Sequence, residues 1–136
     1  MKKYENYVAA LDVLRRAPEQ DLSNEFVQSG VIDKFAVQFE LGWKLLKRLL
    51  AYEGAPVAAT GSPRDVVKAA AAIYDFMDED VWLSMLRDRN KMMHIYDANE
   101  AASLLKATLE RYLPEFERLQ EGLLARYGEM LTAPDE

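Results

Sequence analysis

The stretch from about Glu25 to Glu53 constrains this chain more than any other. Its apolar residues fall at Val31, Ile32, Phe35, Phe39, Gly42, Trp43, Leu46, Leu49 and Leu50, the three-four spacing of one helical face, and no proline interrupts it. A helix of that length reaches about 43 Å. Leu41 and Leu45 add a second apolar line beside the first, so the helix must touch more than one neighbour. Gly42 weakens a helix relative to alanine, and the usual compensation is a close approach by another element at that point. Gly54 and Pro56 then stop the helix.

The remaining segments read as partners for this spine. Tyr4, Tyr7, Val8, Leu11 and Leu14 make an amphipathic helix over 3–16, ended by Pro18, and Ser23 or Asn24 supplies a cap for the long helix. Residues 54–62 read as a small-residue loop. Ser62, Pro63 and Asp65 mark the start of a short helix reaching about Tyr74, with Val66, Val67, Ala70 and Ile73 facing in. Another begins after Asp78 and carries Val81, Trp82, Met85 and Leu86 inward. A last helix starts at an Asp97–Glu100 capping box, keeps its period from Ala101 through Leu104, Thr108, Tyr112, Phe116 and Leu119 to Leu123, and should kink at Pro114. No alternating strand pattern competes. The expected fold is all-α, an up-and-down bundle of about five helices around a four-helix-bundle core, with one domain over 1–128 and a flexible tail over 129–136.

Composition narrows the function. A formal net charge of −6 over 136 residues argues against non-specific coating of nucleic acid, though basic clusters occur at Arg15–Arg16, Lys44–Arg48 and Arg87–Lys91. On pattern alone these are solvated helix faces. With no cysteine there is neither a disulfide framework nor thiolate chemistry, and a cytoplasmic location is the simplest expectation. No apolar run is long enough to span a bilayer, and Glu5, Asn6 and Asp12 break any signal-peptide pattern, so no membrane partner is expected.

Chemistry concentrates in Arg87-Asp-Arg-Asn-Lys-Met-Met-His-Ile-Tyr96, which holds the only histidine. His94 is the natural proton-transfer group near neutrality, and Arg89 offers a planar donor fork suited to phosphate. Asn90, four residues before His94, shares its helix face and can orient the imidazole, and Arg87 falls on that face too. Arg89 and His94 are about 140° apart on an ideal helix. They converge only if the helix ends between them or two subunits build the site. Tyr96 lies on the arginine side. A proton-transfer group with a phosphate-binding cation, and no acidic metal cluster beside them, suits metal-independent RNA cleavage through the ribose 2′-hydroxyl, with no cofactor. The bland alternative is a capping or packing histidine at a helix end.

Other constellations are weaker. Asp75, Asp78, Glu79 and Asp80 sit at a helix start, where capping explains them better than metal binding. Phe35, Phe39, Trp43 and Trp82 fall at core spacing. No serine has a nucleophile-elbow context, and the loop with Gly54 and Gly61 lacks a phosphate-cradling pattern.

Arg89-x4-His94-x-Tyr96 resembles the motif of HepT-like proteins in the HEPN superfamily, small helical proteins encoded beside a minimal nucleotidyltransferase. The resemblance extends over nearly the whole chain. Val31 to Lys44 looks like the family's long second helix, Ser62-Pro63-Arg64 like the start of its third, and Trp82 to Asn90 like the approach to its motif, which points to the branch of nucleotidyltransferase substrate-binding proteins. What this implies is a homodimer with two motif copies around one cleft, a ribonuclease toxin with the nucleotidyltransferase as antitoxin, and a tyrosine that accepts adenylyl groups. Carried over, Arg89 would hold phosphate, His94 would be the acid/base, Asn90 would orient them and Tyr96 would be modified, with Arg87 and Glu40 in support. Met93 departs from the small or polar residue expected before the histidine. That departure and the net acidity favour an alternative, a non-catalytic subunit presenting substrate to the nucleotidyltransferase. The motif should lie at a helix end, exposed in a cleft against its symmetry mate.

Overall fold

The computed structural model describes residues 1–94 and 97–134. Among them no strand occurs, and the chain is an all-α bundle of helices α1 (Lys2–Leu14), α2 (Glu25–Tyr52), α3 (Val57–Thr60), α4 (Pro63–Ile73), α5 (Glu79–Lys91), α6 (Ala98–Ala107) and α7 (Leu113–Tyr127). A π-helical turn, Thr108–Tyr112, joins α6 to α7 into one run. The helix starts follow from local chemistry. Asn24 accepts from the Phe26 and Val27 N–H groups, Ser62 and Asp65 form a reciprocal capping box, Asp78 accepts from Val81 N–H and Asp97 from Glu100 N–H. Gly54, at φ 78°, turns the chain out of α2.

The spine is α2, which contacts α1, α3, α4, α5 and α6. Its stripe is buried at Val31, Phe35, Phe39, Leu46, Leu49 and Leu50, and the second line contributes Leu45. Around it Phe35 stacks on Tyr112 at 5.1 Å between ring centroids, Phe39 meets Trp82 at 6.0 Å, and Trp82 meets Phe116 edge-on at 5.7 Å. Polar ties fix the layers. Buried Gln38 donates from Nε2 to the Tyr7 carbonyl at 3.0 Å, and the Tyr7 hydroxyl donates to the Phe116 carbonyl at 2.7 Å, which links α1, α2 and α7. Buried Glu115 accepts from the Asp78 N–H at 2.9 Å, so α7 also braces the entry to α5.

Three expectations need correction. The 54–62 loop contains the one-turn helix α3, Ile73 is partly exposed at the end of α4, and Trp43 is half-buried under Lys47 instead of lying in the core. These residues sit at the rim of the bundle, where periodicity cannot tell a full contact from a half contact. The irregularity near Pro114 begins one turn earlier than the proline. Pro114 has no N–H to donate back into the preceding turn, and that turn is the widened 108–112 segment, where the Thr108 hydroxyl donates to the Leu104 carbonyl at 2.8 Å. At the far end Leu131 is buried, and the Met1 ammonium donates to the carbonyls of Leu131 and Ala133.

A Cβ on Gly42 would meet the Trp82 ring at 3.1 Å and the Tyr7 ring at 3.3 Å, so α1 and α5 approach the α2 backbone there. Gly42→Leu should therefore overpack both contacts and lower stability by about 1–3 kcal/mol in urea unfolding. An unchanged midpoint would show that this approach is not a constraint.

Candidate functional site

The motif lies where α5 gives out. Trp82 anchors the helix in the core, and seven residues later, two turns on, Arg89 emerges on the α2 side. Its guanidinium lies 5.5 Å from the Phe39 ring centroid and its Nη2 is 3.3 Å from Glu40 Oε2, while Lys44 approaches the other Glu40 oxygen at 3.4 Å. Both side chains of the Arg89–Glu40 pair are about a third exposed, so the contact is worth at most about 1 kcal/mol and acts mainly to aim the guanidinium. Arg89 Nε is buried without a hydrogen-bond partner among the described residues. Glu40, which the resemblance places in support of the motif, is thus in direct contact with the motif arginine.

His94 ends a 3-10 turn, Met92–His94, and is exposed. Such a turn winds about 120° per residue, which carries His94 no nearer to the Arg89 side than an α-helix would. The imidazole lines a cleft of about 680 Å³ with Asp88, Lys91, Asp97, Glu100 and Ser103, and Arg89 is not among its walls. Within one chain Arg89 is thus directed to Phe39 and Glu40, and His94 to a cleft that Arg89 does not line. Asn90 is exposed at the same helix end, and no hydrogen bond joins it to Arg89 among the described residues. Tyr96 lies outside the described residues.

Arg87 takes a different direction. Its Nη2 donates to Ser84 Oγ at 3.0 Å, and Arg111 Nη1, from the π turn, donates to the same oxygen at 3.1 Å. Ser84 Oγ is also 2.8 Å from the Tyr112 hydroxyl, which hydrogen-bonds Asp88. The directions are fixed by elimination. A carboxylate only accepts, so Tyr112 donates to Asp88, and the Ser84 proton goes to Tyr112. Burial, then the Asp88 carboxylate, push the Tyr112 phenol up to about 12. The phenol therefore stays a donor at neutral pH. Asp88 belongs both to this relay and to the wall of the His94 cleft.

Ser84, Asp88 and Arg111 were given no role in the sequence, and Tyr112 was read there only as a core position of the last helix. Asp88 stands inside the motif segment and Ser84 one turn before it. Arg111 and Tyr112 are more than twenty residues away, and nothing in local spacing pairs them with α5.

The fold and site define a class first, a small helical bundle that presents a histidine at a helix end above a buried polar relay, with no group of three or more metal-ligating side chains among the described residues. The chain belongs to the family described as nucleotidyltransferase substrate binding protein like, whose family model matches residues 2–125. That span includes every segment on which the sequence resemblance rests, and it agrees with the branch the resemblance indicated. No curated protein compared with the chain matches it. No helix among the described residues is long and apolar enough to cross a membrane.

Tyr112→Phe should cost about 1.5 kcal/mol at neutral pH by leaving Asp88 and Ser84 without their shared partner. The raised phenol pKa also has a pH signature. Its stabilising contribution is complete below the ordinary tyrosine value of 10.0 and is lost as pH rises through about 12. Urea unfolding of wild type and Tyr112→Phe should therefore converge across that alkaline window. A constant difference from pH 8 to 12 would refute the relay.

Proposed function

We propose that this protein is the toxin subunit of a pair with a minimal nucleotidyltransferase, a metal-independent endoribonuclease whose site is composite. Arg89 of one copy and His94 of another meet in the cleft of a homodimer. The observation that carries the reading is the divergence of the two residues within one chain, with Arg89 aimed by Glu40 toward α2 and His94 exposed in a separate cleft. Met93, which counts against catalysis by its apolar character, is 84% exposed beside the histidine, an exposure that supports only the assembly part of the reading, a surface covered by a second copy. In this reading His94 moves the proton of the ribose 2′-hydroxyl and Arg89 stabilises the charge that develops on phosphate oxygens. Asn90 supports their orientation, and Tyr96 is the adenylyl acceptor through which the nucleotidyltransferase silences the toxin.

A second reading has its own support. Three carboxylates, Asp88, Asp97 and Glu100, face the His94 cleft against one lysine, which disfavours a polyanion unless a partner supplies cations. On that reading the protein is a non-catalytic subunit that presents substrate to the nucleotidyltransferase.

Expression without the nucleotidyltransferase separates the two. The toxin reading expects growth arrest and RNA cleavage with wild type, and a loss of about a hundredfold or more in cleavage rate for His94→Ala and Arg89→Ala. Mixing the two variants should partly restore cleavage, since a mixed dimer keeps one intact Arg89–His94 pair. Equal growth and intact RNA for wild type and His94→Ala would overturn it in favour of the binding subunit. Incubation with the nucleotidyltransferase and ATP should add adenylyl mass that Tyr96→Phe abolishes.

A further inference from the structure

A second cleft, of about 520 Å³, opens between α4, α5 and the π turn, lined by Arg64, Asp80, Leu83, Ser84, Arg87 and Arg111. In a chain whose formal net charge is −6, three arginines converge here from three elements remote in sequence. Arg87 and Arg111 both point a terminal nitrogen at one neutral oxygen, Ser84 Oγ, at 3.0 and 3.1 Å. Guanidinium ions repel one another and are usually held by carboxylates. Here Arg87 has only a long approach to Asp88, 3.8 Å from Nε to Oδ1, and Asp88 is engaged by Tyr112. Neither Arg64 nor Arg111 has a carboxylate within ion-pair distance among the described residues.

We propose that this cleft is a phosphate-binding site, in which Arg64, Arg87 and Arg111 hold the oxygens of a phosphate group carried by a nucleotide or by an RNA strand. Each planar guanidinium offers two parallel donors, and three of them around a tetrahedral oxyanion replace mutual repulsion with charge-assisted hydrogen bonds. Buried Ser84 is the fixed seat. By donating its own proton to Tyr112 it leaves only lone pairs toward the arginines, so the two guanidiniums are held at the cleft floor before a ligand arrives. Asp88, next to Arg87 in the chain, lines the cleft containing His94, and Arg87 stands seven residues before His94, about 10 Å along the helix. A strand with one phosphate here could extend toward the histidine, and a mononucleotide could not. The site itself requires neither His94 nor a second copy, so it stands or falls apart from the ribonuclease reading.

The test is amide chemical-shift titration of the full chain carrying His94→Ala, which prevents RNA cleavage during the measurement. The probes are inorganic phosphate, ATP without metal, and a short oligouridylate, against sodium chloride of matched ionic strength. Saturable shifts at Ser84, Arg87 and Arg111 are expected with all three phosphate probes. Arg64→Gln and Arg111→Gln, both exposed positions whose folding is checked by circular dichroism and melting, should each weaken binding about tenfold, the order expected for one lost charge-assisted contact. Equal affinity for phosphate and ATP identifies an isolated phosphate pocket, and much tighter, salt-sensitive binding of oligouridylate identifies a strand track. Shifts that chloride reproduces, shifts that persist undiminished in both variants, or no saturable shift with any probe would each overturn the proposal.

Discussion

The notch at Gly42 is the constraint on which the rest of the bundle depends. Because α2 has no side chain at that point, Tyr7 from α1 and Trp82 from α5 both reach its backbone, and the two largest fully buried side chains share one gap. The position of Trp82 sets the rotation of α5. Since two helical turns take seven residues, that rotation then decides that Arg89 faces Phe39 and Glu40. The aim of the motif arginine is thus inherited from a glycine three residues along α2 from the ring it covers.

The second organising element is the relay from the arginines through Ser84 and Tyr112 to Asp88. It ties α5 to the last helix by polar contacts buried above an apolar core, where an unmatched hydroxyl would be costly and a matched one specifies a single arrangement. It also divides the charge of this face. Three carboxylates, Asp88, Asp97 and Glu100, line the His94 cleft, while three guanidiniums and one carboxylate, Asp80, line the other, so the two clefts differ in the balance of their charge.

Much of the fold was legible in the sequence because it rests on local rules. The long period of α2, the caps at Asn24, Ser62, Asp78 and Asp97, and the stop at Gly54 are each decided by neighbours within a few residues, and all occur where the pattern puts them. Ile73 and Trp43 misled because a helical period reports a face, not how completely a neighbour covers it. Of the candidate site, the five-residue step from Arg89 to His94 already said that one helix turns the two residues to different sides, and the structure ends α5 between them, at Lys91. The partner that Arg87 and Ser84 find in Arg111 and Tyr112 was not, because it depends on how two helices are rotated against each other, and that rotation is set by core packing.

The π turn at 108–112 decides more than the path of one helix. A widened turn accommodates about one residue more than an α-helical turn, and each residue in a helix is worth about 100° of rotation. At its end Tyr112, and beyond it Phe116, are buried in the core, and before it Glu100, Ser103 and Leu104 line the histidine cleft. Removing a single residue from this turn would conserve every side chain named in the site and still swing one wall of the cleft through more than a quarter turn. The number of residues between Leu104 and Tyr112 is therefore as much a part of the site as the identity of any of them, and relatives that match residue for residue but differ by one in this interval would not share its geometry.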